Sequence, residues 1–213
     1  MAQDRRLPNR WSRYILLGVR GAVGGDRFHS LMSVARLTHF ADEMPADDFE
    51  EEGLAPQEVG RLFQALEEIY GMRAGWELAR LAGRESFQFW HHGFGSMSGL
   101  MDSTIPLLPV TFRMRLGLET MAEVFARYLG QSVTLDEDGD RFSIALNGCG
   151  FCAGRWTQEP VCWFMVGFLE GLSDWVLGGE SSTGRIEEVQ CMAQGAPACV
   201  FAIEKPARWK RRA

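Results

Sequence analysis

Apolar positions in the first 130 residues recur at the spacing of a single helix face. Trp11, Tyr14, Ile15 and Leu17, then Phe28, Leu31, Met32 and Leu37, predict helical stripes within residues 9 to 40. Gly24-Gly25 separates the two stripes, and Asp26 is a candidate N-cap for the second. Behind Pro56, the residues Val59, Leu62, Phe63, Leu66 and Ile69 define an amphipathic helix over 56–70, ended by Gly71. A further helix over 74–92 carries Trp76, Leu78, Leu81, Phe87, Phe89 and Trp90. Another over 110–129 carries Phe112, Leu116, Met121, Val124, Phe125 and Tyr128. The stretch 93–109 between them is rich in Gly, Ser and Pro and reads as a loop or broken helix.

Beyond residue 130 the period changes from helical to alternating. Val133 and Leu135 on one side, and Phe142, Ile144 and Leu146 on the other, flank Asp138-Gly139-Asp140, which is a hairpin signal. A helix follows over 160–177, with Phe164, Met165, Phe168, Leu169, Leu172 and Trp175 on its apolar side and Gly178-Gly179 as its stop. Residues 186–192 and 199–203 read as two short strands joined by the turn Gln194-Gly195-Ala196-Pro197. The fold class expected is α+β: helices first, then strand pair, helix, strand pair.

Composition narrows the options. The chain has 213 residues, 46% apolar and 23% charged, enough for a sizeable core. Its net charge of −6 disfavours a nucleic-acid partner. Both ends are locally basic, with Arg5, Arg6, Arg10 and Arg13 in front and Arg208, Lys210, Arg211 and Arg212 behind, and such tails are usually solvated. The carboxylate run at 47–52 reads as a solvated connector. No apolar run approaches the roughly 20 residues of a membrane span. Seven Trp and 14 Phe allow either an aromatic core or the wall of an apolar ligand cavity.

All five cysteines fall in the last third: Cys149, Cys152, Cys162, Cys191 and Cys199. An odd number of thiols favours a cytoplasmic chain with reduced cysteines. Cys162, the Glu188-x-x-Cys191 pair and Cys199 offer three sulfurs and a carboxylate, a closed four-coordinate set that suits zinc. Cys149-x-x-Cys152 supplies alternative ligands, a redox pair or two buried thiols, and an iron–sulfur centre on four of the five stays open. His91 and His92 point to different faces of their helix, so one ion is not expected to take both. No phosphate-binding loop, nucleophile elbow or His-Glu-x-x-His is present, and no catalytic constellation stands out.

Pro160-Val-Cys162-Trp-Phe-Met-Val-Gly167-Phe-Leu-Glu-Gly171 and Glu187-Glu188-Val-Gln-Cys191-Met-Ala-Gln-Gly195-Ala-Pro-Ala-Cys199-Val-Phe201 resemble the 4-vinyl reductase (hydrocarbon-binding) domain family. The resemblance covers about residues 75–205 and implies three parts: an N-terminal helical extension (1–74), a ligand-binding domain (75–205) and a basic tail (206–213). It implies a fold similar to small vesicle-trafficking subunits and a homodimer. It also implies zinc on Cys162, Glu188, Cys191 and Cys199, and an apolar or aromatic small-molecule ligand. The chain departs by a small insertion at 179–184 and by its two extra thiols, Cys149 and Cys152. The cavity would be walled by Trp90, His91, Phe94, Phe112, Phe125, Tyr128, Phe164 and Phe168. The alternative expectation is a 4-vinyl reductase component of bacteriochlorophyll synthesis, or a tetrapyrrole carrier. With no nucleotide fingerprint present, binding is expected ahead of catalysis.

Overall fold

A computed structural model describes residues 5–50, 52–98, 108–178 and 184–205. The expected basic tail at 206–213 and most of the insertion at 179–184 lie outside these residues, as do positions 99–107 of the expected loop. The helices are α1 (Asn9–Val23), α2 (Gly25–Val34), α3 (Thr38–Asp42), α4 (Pro56–Tyr70), α5 (Met72–Ser98) and α6 (Val110–Val124), the last running into a π-helical turn, Phe125–Leu129. Two strands, β1 (Val133–Glu137) and β2 (Arg141–Leu146), precede α7 (Trp163–Val176), and β3 (Ile186–Gln190) and β4 (Cys199–Glu204) close the described chain. The four strands form one antiparallel sheet in the order β1-β2-β4-β3. This is the expected α+β order.

Local chemistry explains where elements begin and end. Pro56 opens α4, and Glu58 reaches back to accept the Ala55 N–H at 2.8 Å, so a free amide of the first turn is satisfied. Gly24 at φ 84°, not Asp26, occupies the junction before α2; Asp26 sits in the first turn, where its charge suits the helix N-terminus. α5 continues past the expected stop at His92 because Gly93 leaves room for the Tyr14 hydroxyl, which a Cβ there would meet at 2.0 Å. The acidic connector is tied down more than a solvated loop would be. Arg10 donates to Asp47 at 2.6 Å, and Arg13 donates to the Pro45 carbonyl at 2.9 Å.

One hydrophobic core runs from Trp11 in α1 to Ile203 in β4. α5 lies at its centre, with α1, α4 and α7 packed around it. The α5–α7 crossing is close enough that backbones touch. A Cβ on Gly167 would sit 1.8 Å from the Arg80 carbonyl oxygen, and one on Gly83 would sit 2.0 Å from the Phe164 carbonyl oxygen. Beside this contact, the buried Glu170 of α7 accepts a bidentate pair from Arg80 and lies 3.5 Å from Arg84. On the sheet, Phe142, Ile144 and Leu146 of β2 and Phe201 and Ile203 of β4 turn inward. No described helix is long and apolar enough to cross a membrane.

Replacing Gly167 by Leu should force the two helices apart. Overpacking of about 1–3 kcal/mol or more, at roughly 2–4 °C per kcal/mol for a chain this size, lowers the thermal midpoint by about 4–10 °C. Gly139→Ala, where a new methyl meets nothing within 4 Å, should leave the midpoint within about 2 °C. Circular-dichroism melts of the two variants check the pair.

Candidate metal centre

Four segments converge where the sheet meets the start of α7, and each delivers thiols. Gly148 (φ 76°) and Gly154 (φ 74°) bracket Cys149-Gly150-Phe151-Cys152; their left-handed backbones let the chain leave β2, form a 3₁₀ turn over Gly150–Cys152 and reverse. Cys162 is the N-cap residue of α7. Cys191 follows β3, and Cys199 opens β4 in register with Leu146, which places the base of the first loop beside it. All five cysteines are buried and free.

The sulfurs touch one another. Cys149 Sγ lies 3.6 Å from Cys162 Sγ, and Cys152 Sγ lies 3.5 Å from Cys199 Sγ. Cys162 Sγ is 3.7 Å from Cys199 Sγ and 4.0 Å from Cys191 Sγ. Two sets of four ligand atoms each fall within 4.8 Å of one another: Cys149, Cys152, Cys162 and Cys199, and Cys162, Glu188, Cys191 and Cys199. The second set is the one expected from sequence; the first uses the thiols whose role was left open.

Backbone amides face the cluster as donors to negative charge. The Cys162 N–H donates to Glu188 Oε2 at 2.8 Å, and the Met192 N–H donates to Cys199 Sγ at 3.3 Å. Glu188 Oε1 is enclosed and has no hydrogen-bond partner among the described residues. Burial pushes the Glu188 carboxyl above its usual range, opposed by the Cys162 amide. Burial, and then the surrounding thiols, push the Cys162 thiol well up. In the absence of a cation, thiolates packed this tightly repel one another and keep their protons.

Support comes from the helical layer. Arg155, which ends the Cys149–Cys152 loop, is buried and donates to Glu67 of α4 at 2.6 Å. The other Glu67 oxygen accepts the Trp76 indole N–H at 3.0 Å, and Trp76 of α5 stacks on Trp163, the residue after Cys162, at 5.4 Å. Sequence reading missed Glu67 and Arg155. A lone charged residue in a helix and another in a loop 88 positions on carry no pairing signal.

The residues expected to wall a ligand cavity have different fates. Trp90, Phe125, Phe164 and Phe168 are fully buried and pack ring against ring: Phe125 meets Trp11 at 5.3 Å, Phe168 meets Phe87 at 5.4 Å and Trp90 at 5.6 Å, and Phe164 meets Phe151 at 4.7 Å. Tyr128 is half-buried and stacks on Phe49. Phe112 is 53% exposed, because α6 turns Met114, Leu118 and Met121 inward instead. The Phe94 side chain lies outside the described residues. His91 is buried beside Phe87 and Trp175, and its Nε2 has no partner among the described residues. His92 is exposed. Cavities of about 510, 350 and 200 Å³ lie at the surface around Trp156 and Gln194, around Trp163 and Glu188, and around Pro56 and Cys152. No histidine lines any of these three.

Comparison with solved structures places the fold among H-NOX proteins. An H-NOX of T. Tengcongensis superposes with a TM-score of 0.58 at 16% identity, over 89% of this chain and 92% of that one. One from S. oneidensis, in its Fe(II)NO ligation state, gives 0.55 at 14% identity over 91% and 99%. A structure described as probing heme distortion in the H-NOX family gives 0.61 at 16% identity over 94% and 95%. The fold likeness thus runs to H-NOX proteins, where the sequence resemblance pointed to vesicle-trafficking subunits. Within this fold, residues 142–205 match the model of the 4-vinyl reductase domain, the family indicated by the cysteine and glycine spacing. The uncharacterized protein MJ0745 of Methanocaldococcus jannaschii is 31% identical over 61 residues, which is 29% of this chain; the match spans about a third (32%) of that relative's length.

Burial, and then the neighbouring His92, lower the His91 pKa below 6.5. The folded state therefore holds His91 neutral while the unfolded chain takes up a proton near pH 6.5, so the contribution of His91 to stability falls as pH drops through that value. The melting-temperature advantage of wild type over His91→Gln should shrink between pH 7.5 and pH 5. A pH-independent difference would contradict this assignment.

Proposed function

We propose that the chain is a small-molecule-binding protein whose 4-vinyl reductase segment is closed by a structural zinc ion on Cys162, Glu188, Cys191 and Cys199. The observation that carries the reading is the convergence of those four ligand atoms within 4.8 Å, with an unpartnered carboxylate oxygen among them. Three thiolates and a carboxylate leave no open position, so the ion acts by holding α7, β3 and β4 together. Binding of structural zinc supplies about 10–16 kcal/mol in small domains, comparable with the whole stability of a protein. The match to the 4-vinyl reductase domain and the shared fold with H-NOX proteins support a ligand-binding role. An apolar or aromatic ligand suits the aromatic content, and the family resemblance extends the reading to a cytoplasmic homodimer.

A second reading rests on His91. Its buried, unpartnered Nε2 is a donor suited to the metal of a tetrapyrrole, the carrier role that the resemblance offers as an alternative. Hemin added to the protein then shows a shifted Soret band that His91→Ala abolishes, whereas the hydrocarbon reading leaves the two spectra alike.

For the first reading, protein purified anaerobically carries zinc by plasma mass spectrometry, and Cys191→Ser carries one ion fewer. Naphthalene raises the thermal midpoint, since a ligand that binds only the folded state stabilises it by mass action. Metal-free protein with a melt indifferent to chelator would overturn the zinc assignment.

A further inference from the structure

The two sets of four ligand atoms are not alternatives, because they share Cys162 and Cys199 and divide the other four residues between them. That division is the ligand count of two tetrahedra joined along one edge: two bridging sulfurs and two terminal ligands on each side. With Zn–S at about 2.3 Å, the edge of a regular tetrahedron is about 3.8 Å. The measured contacts run along such edges. The shared Cys162–Cys199 edge is 3.7 Å. Cys149–Cys162 is 3.6 Å and Cys152–Cys199 is 3.5 Å on one side, and Cys162–Cys191 is 4.0 Å on the other.

We propose that this protein holds two zinc ions, bridged by the sulfurs of Cys162 and Cys199. Cys149 and Cys152 complete one ion, and Cys191 and Glu188 complete the other. The inference rests on the single-ion reading above and adds the second position to it.

Charge favours the second ion. A lone ion on Cys162, Glu188, Cys191 and Cys199 leaves Cys149 and Cys152 as neutral thiols in contact with bound thiolates. A second dipositive ion entering there displaces the two thiol protons to solvent, so it adds no net charge to a buried site. The Cys162 and Met192 amides already face Glu188 and Cys199 as donors, and the bridging sulfurs share their negative charge between two cations. A two-iron cluster with inorganic sulfide is a poorer fit. It places its cysteine pairs on opposite sides of the sulfides, whereas each set of four here closes around one point.

The arrangement has a structural consequence. The ion on Cys191 and Glu188 ties α7 to the β3–β4 turn. The ion on Cys149 and Cys152 ties in the loop leaving β2, and through Arg155 that loop is already held to Glu67 of α4. The pair of ions thus joins all four segments at one point.

The test is native mass spectrometry of anaerobically reduced protein reconstituted with zinc alone, with a Co(II) titration beside it. Wild type should carry two ions and Cys149→Ser/Cys152→Ser one, while Cys199→Ser, which removes a bridge, should retain neither at full occupancy. In the Co(II) form, bridging sulfurs should couple the two ions magnetically, so the paramagnetic resonance signal rises with the first equivalent and falls with the second. One ion in both wild type and the double variant overturns the second position and leaves the single-ion site standing. Two ions in both overturns the role of Cys149 and Cys152. No ion in wild type overturns both readings together.

Discussion

The backbone contact between α5 and α7 constrains the rest of the molecule. Gly83 and Gly167 bring the two helices within touching distance, and this fixes where α7 begins. Cys162 is the N-cap of that helix, so its sulfur is set by the crossing rather than by its own loop. Glu170, two turns on, is held by Arg80 and lies beside Arg84, a buried charge cluster that resists sliding of one helix along the other. With the helix located, three further segments need only bring their cysteines to its N-terminal end. The β2–β4 register brings Cys199 and the Cys149–Cys152 loop, and the end of β3 brings Cys191 and Glu188.

The sulfur cluster therefore sits at the joint between two layers with different sources of stability. The helical layer is held by an interlocked aromatic core in which Trp11, Phe87, Phe125 and Phe168 meet edge to face. The sheet is small, and its outer strand β3 has exposed residues such as Val189. Four strands with one covered face gain little from burial alone at their ends. Metal–thiolate bonds at that corner supply what packing does not. The position also explains why these thiols are packed so closely. A cluster that closes a joint has to receive ligands from every segment meeting there.

Much of this was legible in the sequence. The helical stripes of α1, α4 and α7, the β1–β2 hairpin and the change of period near residue 130 were read from spacing. The ligand residues were legible because cysteine and glutamate at those intervals have few other reasons to occur together. Several features could not be read, for a common reason: they depend on partners far away in the chain. α5 runs past His92 because Tyr14 fills the space at Gly93. Phe112 turns outward because α6 buries a different stripe. Arg155 and Glu67 find each other only after folding. Whether Cys149 and Cys152 join the other thiols was decided by strand register, which no local pattern reports. The aromatic residues were conspicuous by count, but their numbers did not distinguish a packed core from a cavity wall. In the structure Phe125, Phe164 and Phe168 pack against other rings.

If the cluster is the joint of the C-terminal module, removing its metal should loosen one part of the molecule before the other. Hydrogen–deuterium exchange on protein with and without a zinc chelator measures this directly. The account predicts that amides of β3, β4, the Cys149–Cys152 loop and the first turn of α7 lose protection on chelation, while α1, α4 and the middle of α5 keep theirs. Equal protection with and without chelator, or a loss spread evenly over the chain, would contradict it.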